Sequence, residues 1–461
     1  MIDDLHYLTI ADAARAIEAG SLSPVELTEA YLHRIGALDS TLGAYITVTA
    51  ALARKAALEA EAAIGKGGYR GPLHGIPIGL KDLIDTAGIP TTWGTEWRRG
   101  VTAERDAVVT NRLADAGAVL LGKHALLEFA MGGVDHNAHY GYTRNPWNVD
   151  CFPGGSSSGT GSAVSAGLAA GGLGTDTGGS VRQPASYCGI VGLKPTNGLV
   201  NMEGIFPLSM SCDTVGPMAR TAEDAAILLE GILGIQDGPY TGALASASLA
   251  GLRVGVPRAW ITRDADEAVV AVIDAALAVF AGAGAEIVDV PLLPGDDTST
   301  AYRGVTYYEA AAAHRSFFAE HATDYGSHVR QRLEDGQTIT PAANAEAKAA
   351  ASRLARDAER AMAGVDILAL PTQPTPAPQF GQDQVTIAGE VFGMVAVRGR
   401  FTIPFNVYGW PGLSVPAGFA PDGLPVGLQL VGLPGRDAQL LAAGHAYQAL
   451  TDWHQRHPSL G

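Results

Sequence analysis

Apolar residues recur along the chain with a spacing that predicts helices in some segments and short buried strands in others. Near the N-terminus the pattern predicts three helices, over 9–20, from Ser23 onward, and over the alanine-rich run 50–64. Further along, short apolar runs bounded by Gly, Pro or charged residues predict strands. These strands are expected at 75–81, 118–121, 252–256, 287–290, 367–370, 413–415 and 426–431. Helical patterns at 109–116, 126–131, 223–233 and 268–280 lie between the strands, an alternation typical of an α/β fold.

The domain organisation follows from the absence of any charged or Ser/Pro-rich linker between two independently patterned halves. We therefore expect one large domain over 1–461. Residues 303–363 are rich in Ala, Arg and Glu and carry no strand pattern, which predicts a helical insertion that could flank a pocket. The proline-rich stretch 371–378 is expected to be a loop.

Charge and composition exclude several classes of partner. The formal net charge of −16 argues against direct binding to nucleic acid or to an anionic membrane, and a small uncharged substrate is easier to accommodate. Residues 1–4 lack a basic signal-peptide start, and no apolar run approaches the roughly 20 residues of a membrane span, so a cytoplasmic protein is expected. The three cysteines fit neither a zinc site nor a disulfide framework, and buried reduced thiols are expected.

The segment 154–180 is unusually rich in glycine, with ten Gly in 27 positions. A flexible linker is disfavoured because 163–170 is a good helix former and an apolar run follows at 189–193. A phosphate-binding loop is disfavoured because neither glycine cluster is followed by Lys-Ser/Thr. The stretch 155–159 also matches the G-x-S-x-G elbow with Ser157 as nucleophile, but Pro153 is unsuited to the central strand that must precede such an elbow.

Two serine clusters and one lysine together form a more specific pattern. The sequences GIPIGLKD at 75–82, GGSSSG at 154–159 and GTDTGGSVRQPA at 174–185 resemble those of the amidase signature family. In this resemblance Lys81, Ser156 and Ser180 fall on the family's lysine, cis-serine and nucleophilic serine, at separations of 75 and 24 residues. The resemblance implies a central mixed, twisted sheet covered by helices on both faces. It also implies hydrolysis of a carbon–nitrogen acyl bond through an acyl-enzyme on Ser180.

The chemistry of these three residue types fits that reaction. A serine hydroxyl needs a base to become a nucleophile, and amide hydrolysis needs an acid for the leaving nitrogen. Lys81 can be the base only when uncharged, so its pKa must be lowered by burial in the apolar strand. By resemblance, Ser156 follows a cis peptide bond and relays the proton between Ser180 and Lys81.

Neighbouring residues are assigned supporting roles. The backbone N–H groups of Thr177, Gly178, Gly179 and Ser180 are expected to form an oxyanion hole. Three further side chains are expected to support the site from behind. Ser157 is expected to hydrogen-bond the Lys81 amine, and Asp176 and Arg182 to form an internal ion pair that braces the loop.

The substrate pocket is less strongly indicated. The resemblance predicts a wall over 129–137, with Phe129, Met131 and Gly132 as substrate contacts, while core packing is an equal alternative for this segment. Four polar residues near an apolar strand could line the opposite side, although solvated loop positions are favoured for them. These are Arg398, Arg400, Thr402 and Asn406. His136 and His139 lack ligand-spaced carboxylates or thiols, so no metal and no cofactor is expected.

Two functions remain open at this stage. The first is a stand-alone hydrolase of a small amide, anilide or carbamate (urethane), with ester side activity, acting as a monomer or homodimer. The second is the glutaminase subunit of a tRNA-dependent amidotransferase, which shares the triad and would pass ammonia to a partner subunit. A non-catalytic binding protein is disfavoured because all three triad positions are present.

Overall fold

The computed structural model describes residues 5–133, 136–235, 238–292 and 294–460. The strands are β1 (Tyr45–Val48), β2 (Pro77–Lys81), β3 (Val119–His124), β4 (Gly171–Asp176), β5 (Val191–Lys194), β6 (Thr214–Ala219), β7 (Arg253–Val256), β8 (Glu286–Asp289), β9 (Ile367–Pro371), β10 (Gln384–Ile387), β11 (Glu390–Gly393), β12 (Gly412–Phe419) and β13 (Pro425–Val431).

The helices through the first two thirds of the chain are α1 (Ile10–Glu18), α2 (Pro24–Leu42), α3 (Ala50–Ile64), α4 (Val108–Asp115), α5 (Ser158–Ser165), α6 (Arg182–Cys188), α7 (Ala222–Leu233), α8 (Pro239–Gly242), α9 (Arg258–Asp264) and α10 (Glu267–Gly282). They are followed by α11 (Asp296–His314), α12 (Phe318–His321), α13 (Ser327–Thr338), α14 (Pro341–Ala361), α15 (Met394–Val397), α16 (Ile403–Val407) and α17 (Asp437–Gln448). Short 3-10 helices lie at Leu5–Tyr7, Glu96–Arg98, Glu128–Ala130, Ala243–Ser246 and Trp453–Gln455.

Eleven strands form one mixed sheet in the order β1-β3-β2-β4-β6-β5-β12-β13-β9-β7-β8. Strand β2 runs parallel to both β3 and β4, whereas β4 is antiparallel to β6. Helices flank the sheet, so the expected α/β class is confirmed. Because β2 and β4 are parallel neighbours, their carboxyl ends reach the same edge, and this places the end of β2 beside the segment that follows β4.

Most predicted elements are present, two of them differ, and strand β4 was not predicted. The alanine-rich helix has the predicted bounds, Ala50–Ile64. The helix expected over 126–131 is only a 3-10 turn, because the backbone turns sharply at Phe129 (φ 49°) and Ala130 (φ 57°). The helix expected over 163–170 starts earlier, at Ser158, and Gly167 (φ 69°) follows its end. The glycine-rich run 171–176, for which no strand was predicted, is the buried strand β4.

The segment 303–363, which the structure describes in full, contains helices and no strands. These are the end of α11, followed by α12, α13 and α14. Helix α11 packs against both α13 and α14. In the described residues no helix combines the length and the apolar character that a bilayer crossing requires.

Glycines in adjacent strands make room for a buried imidazole beneath the site. The His124 ring is fully buried, and a Cβ on Gly79 would lie 2.2 Å from two of its atoms. A Cβ on Gly172 would approach the same ring to 3.2 Å. The close approach of β2, β3 and β4 therefore depends on these side-chain-free positions.

We expect Gly79→Ala to destabilise the protein, because the added methyl group has no space beside the His124 ring. Overpacking of this kind costs about 1–3 kcal/mol, measured as a lower urea midpoint. Gly36→Ala is the matched control, since Gly36 lies within α2 with nothing near its Cβ position and should be neutral or slightly stabilising. Equal midpoints for Gly79→Ala and wild type would contradict this packing argument.

Candidate active site

Lys81 ends strand β2 with its side chain fully buried. Its amine donates hydrogen bonds to Ser156 Oγ at 2.7 Å and to Thr175 Oγ1 at 2.8 Å. Burial lowers the pKa of Lys81 to about 7, although the nearby carboxylates of Asp176 and Asp213 act in the opposite direction. A substantial fraction of this amine is therefore uncharged at neutral pH and available as a base.

Ser156 is held by the loop that leads into α5. The peptide bond between Gly155 and Ser156 is cis, and the Ser156 carbonyl accepts a hydrogen bond from Leu127 N–H at 3.1 Å. The next N–H, of Ser157, donates to the Ser180 carbonyl oxygen at 3.2 Å. The second bond joins the two serine-bearing segments directly, although 24 residues separate Ser156 from Ser180 in the sequence.

Ser157 takes a different role from the one expected. Its hydroxyl donates to the Thr175 carbonyl at 3.2 Å and accepts from the Thr175 N–H at 3.3 Å. The prediction that Ser157 bonds the Lys81 amine is therefore wrong, because β4 lies between them and its Thr175 hydroxyl occupies that position. Sequence reasoning missed Thr175, although it stands within the GTDTGGS motif.

Ser156 and Ser180 both line a cavity of about 370 Å³. Ser180 is half-buried, and it precedes α6. The volume lies in the range of small-molecule sites. The arrangement thus brings two hydroxyls and one buried amine to the end of a pocket that a small substrate can enter.

Asp176, at the end of β4, braces the loop 177–181, which carries the predicted nucleophile Ser180. Its carboxylate pairs with Arg182 (Oδ1 to Nη2 3.0 Å), and neither side chain is exposed, so the expected internal ion pair is present. Asn406 Nδ2 donates to the same Oδ1 at 2.8 Å. Burial alone would raise the pKa of Asp176, but the Arg182 charge and the hydrogen bonds from Arg182 and Asn406 outweigh it and hold the pKa well below the usual range.

The predicted oxyanion donors divide into two groups. Gly179 N–H donates to Asp176 Oδ1 at 2.7 Å, so this donor is already committed to the carboxylate. Gly179 instead serves as the turn residue, with φ 119° and a Cβ position only 2.3 Å from Thr402 Oγ1. Thr177 and Gly178 line the cavity, and their N–H groups with that of Ser180 are the remaining predicted donors.

Thr177 is fixed from behind by a carboxyl that sequence reasoning also missed. Its hydroxyl donates to Asp213 Oδ1 at 2.5 Å, while Asp213 Oδ2 accepts from the N–H groups of Leu208 and Ser209, each at 2.9 Å. Burial raises the pKa of Asp213 to about 6. The residues next to Asp213 in the sequence carry no motif that predicts this contact, because Asp213 and Thr177, which directly follows β4, are 36 positions apart.

The predicted pocket residues are only partly brought together. Met131 and Gly132 line the cavity. Phe129 lies behind them, fully buried, with its ring centroid 5.9 Å from Trp93, 4.5 Å from His314 and 5.3 Å from Tyr325. Core packing therefore describes Phe129 better than substrate contact does.

The four polar residues near β12, which were expected to be solvated loop positions, have different environments. Thr402 and Asn406 are buried; Thr402 Oγ1 donates to the Gly178 carbonyl at 2.7 Å, and Asn406 bonds Asp176. Arg398 lines the cavity. Arg400 points away to an ion pair with Asp264 at 2.8 Å.

His139 and the three cysteines were considered for a metal site or a disulfide. His139 Nε2 lies 2.9 Å from Glu128 Oε1. In the part of the chain that the structure describes, no group of three or more His, Cys, Asp or Glu is placed to hold a metal ion. Cys151, Cys188 and Cys212 are buried and unpaired, as expected.

Comparison with known proteins gives one consistent result. The family model described as Amidase matches residues 26–441. The chain is 40% identical to a glutamyl-tRNA(Gln) amidotransferase subunit of Halorhodospira halophila, with 98% of this chain and 99% of the relative covered. The peptide amidase of Stenotrophomonas maltophilia has a similar structure, with a TM-score of 0.85 and 34% identity over 98% of both chains. A 6-aminohexanoate cyclic dimer hydrolase gives a TM-score of 0.87 at 29% identity over 99% of both chains.

We expect Asp176→Asn to lower the free energy of unfolding by about 3–5 kcal/mol, because it leaves the fully buried Arg182 guanidinium without a counter-charge. Urea denaturation measures the change. Glu29→Gln is the matched control, since it breaks a largely exposed pair with Arg54 and should move the midpoint very little. If both variants unfold like wild type, the Asp176–Arg182 pair does not brace the loop.

Proposed function

Because the chain belongs to the amidase family of hydrolases, which act on carbon–nitrogen bonds other than peptide bonds, we propose that Ser180 attacks the carbonyl carbon of a small amide and forms an acyl-enzyme. The observation that carries this proposal is the hydrogen bond from the buried Lys81 amine to Ser156, at the end of the cavity that Ser180 also lines. An amine with a pKa of about 7 can exchange a proton with a serine relay near neutral pH.

The proton follows one route in both directions. As Ser180 Oγ bonds to the carbonyl carbon, its proton moves to Ser156, and the proton of Ser156 moves to the uncharged Lys81 amine. When the tetrahedral intermediate collapses, the carbon–nitrogen bond breaks and the same relay returns a proton to the leaving nitrogen. Water then attacks the acyl-enzyme by the reverse of this sequence, which releases the acid and restores Ser180.

The negative charge that develops on the carbonyl oxygen needs donors that are fixed in advance. The N–H groups of Thr177, Gly178 and Ser180 are proposed for this role. The hydrogen bonds of Thr177 to Asp213 and of Thr402 to the Gly178 carbonyl support it, because both hold this loop in one conformation. The Asp176–Arg182 pair acts at a distance from the substrate, as a positioning contact.

A second candidate is the glutaminase subunit of a tRNA-dependent amidotransferase, and the curated relatives favour it. Relatives named as subunits of glutamyl-tRNA(Gln) amidotransferase reach 40% identity over nearly the whole chain, above the 34% of the peptide amidase. By sequence identity this candidate stands ahead of a stand-alone anilide or carbamate hydrolase. In it, the same serine chemistry would release ammonia for a partner subunit, in place of the monomer or homodimer expected from the sequence.

We expect a fluorophosphonate probe to label the wild-type protein and to leave Ser180→Ala unlabelled, because Ser180 is the half-buried pocket serine that the proposed relay deprotonates. Intact-protein mass spectrometry measures the adduct. Ser158→Ala is a matched control, since Ser158 is a buried serine of the same segment and its loss should preserve labelling. An adduct that persists in Ser180→Ala at another serine would overturn the nucleophile assignment.

We expect kcat/KM to rise with pH through about 7, because the protonated Lys81 amine, present below its pKa, cannot accept the serine proton. Lys81→Ala should lower kcat by about a hundredfold or more, and the residual rate should lose this pH limb. A pH–rate profile on a chromogenic amide measures both effects.

Lys194 provides the control for that profile, because it is a second buried lysine whose pKa burial lowers to about 7. Its amine bonds Asn197 Oδ1 at 2.8 Å and the Trp410 carbonyl at 2.9 Å, outside the cavity. Lys194→Gln should keep the pH limb in whatever activity remains. A limb that persists in Lys81→Ala and disappears in Lys194→Gln would contradict the base assignment.

A further inference from the structure

The charge of the cavity is opposite to that of the protein. Its charged lining residues are Arg303, Arg332 and Arg398, and no described Asp or Glu side chain lines it. The chain as a whole has a formal net charge of −16. A cavity with this lining does not fit the uncharged substrate that the overall charge led us to expect, because neutral ligands give no compensation for clustered guanidinium groups.

Arg398 is fixed in the wall rather than free to swing into solvent. Its guanidinium donates to the carbonyl oxygens of Gly132, at 3.2 Å, and Gly133, and these glycines follow the predicted wall residue Met131. Both acceptors are neutral. Burial lowers the pKa of Arg398 to about 10, and the positive charge of Arg332 acts in the same direction. Both guanidinium groups belong to residues that line the same cavity, so their like charges oppose one another there.

Arg332 approaches the same cavity from helix α13. It is half-buried, and it forms no ion pair with any acidic side chain that the structure describes. Tyr302, on α11, completes this side of the cavity, since a Cβ on Gly178 would lie 2.6 Å from the Tyr302 hydroxyl. The Tyr302 hydroxyl thus lies against the loop that carries Ser180, and the two arginines line the same cavity.

Like charges that have no counter-ion among the described residues favour the binding of an anion, and the planar guanidinium fork matches a carboxylate. We propose that the substrate is an amide that also carries a carboxylate, which binds between Arg332 and Arg398 while its amide carbonyl reaches Ser180. This inference rests on the proposed function, whose acyl chemistry it leaves unchanged.

The same lining favours an amide with one negative charge over a zwitterionic amino acid amide. The α-ammonium group of glutamine would need a carboxylate or several carbonyl acceptors, whereas the charged residues that line this cavity, in the part of the chain that the structure describes, are all arginines. A monoanionic amide such as glutaramate, which is glutamine without its amino group, satisfies the arginines and adds no uncompensated charge. The inference therefore commits to an anionic rather than a zwitterionic substrate.

The test compares ammonia release by the full chain from succinamate, glutaramate, hexanamide and glutamine. We expect the better anionic amide to exceed hexanamide at least tenfold in kcat/KM, and glutamine to be no better than glutaramate. Arg332→Gln should lower kcat/KM for the anionic amide by roughly tenfold to a hundredfold, the usual effect of losing a charge-assisted hydrogen bond. The ratio of kcat/KM for the anionic amide to kcat/KM for hexanamide should fall with it, and Arg332→Lys should recover part of the loss.

Arg330→Gln is the matched control, since it removes the same charge from α13 at a position outside the cavity lining and should leave all rates unchanged. Fluorophosphonate labelling of Ser180 in the same samples separates the two hypotheses. If Ser180 is labelled but hexanamide or glutamine exceeds both anionic amides, or no anionic amide is hydrolysed, the carboxylate site is wrong and the serine chemistry stands. If Ser180 is not labelled and no amide is hydrolysed, the proposed function itself is wrong.

Discussion

The burial of one amine is the constraint on which the site depends. Lys81 lies in a strand without exposed atoms, and the removal of water is what brings its pKa to about 7 against the pull of two carboxylates. An exposed lysine in the same motif would stay charged and could not accept a proton. The large sheet, the small residues of β2 and β4, and the imidazole packed against Gly79 all keep water from this position.

A buried ion pair, Asp176 with Arg182, fixes the loop that carries Ser180. Asp176 joins β4 to α6 through Arg182 and to α16 through Asn406, and it takes the N–H of Gly179. Because a buried carboxylate is costly unless each lone pair is used, this geometry admits few alternatives. The loop that carries Ser180 is therefore positioned by contacts that never meet the substrate.

The charge of the cavity lining differs in sign from the net charge of the chain. The formal net charge of −16 is a property of the whole chain, and it says nothing about a pocket lined from helices α11 and α13. The two arginines come from segments that share no motif with Lys81, Ser156 and Ser180, which is consistent with an acyl chemistry and a substrate preference that can vary independently.

The sequence by itself determined the fold class, most helix and strand positions, the Asp176–Arg182 pair and the set Lys81, Ser156 and Ser180, because local periodicity and short motifs encode these features. Only the tertiary structure decided that Ser157 bonds β4 instead of the amine, that Phe129 belongs to an aromatic cluster, and that Gly179 donates to Asp176. It alone brought Arg332 and Arg398 to the same cavity. Such contacts join residues tens to hundreds of positions apart, and packing of the sheet and helices fixes them, so no local pattern of side chains can specify them.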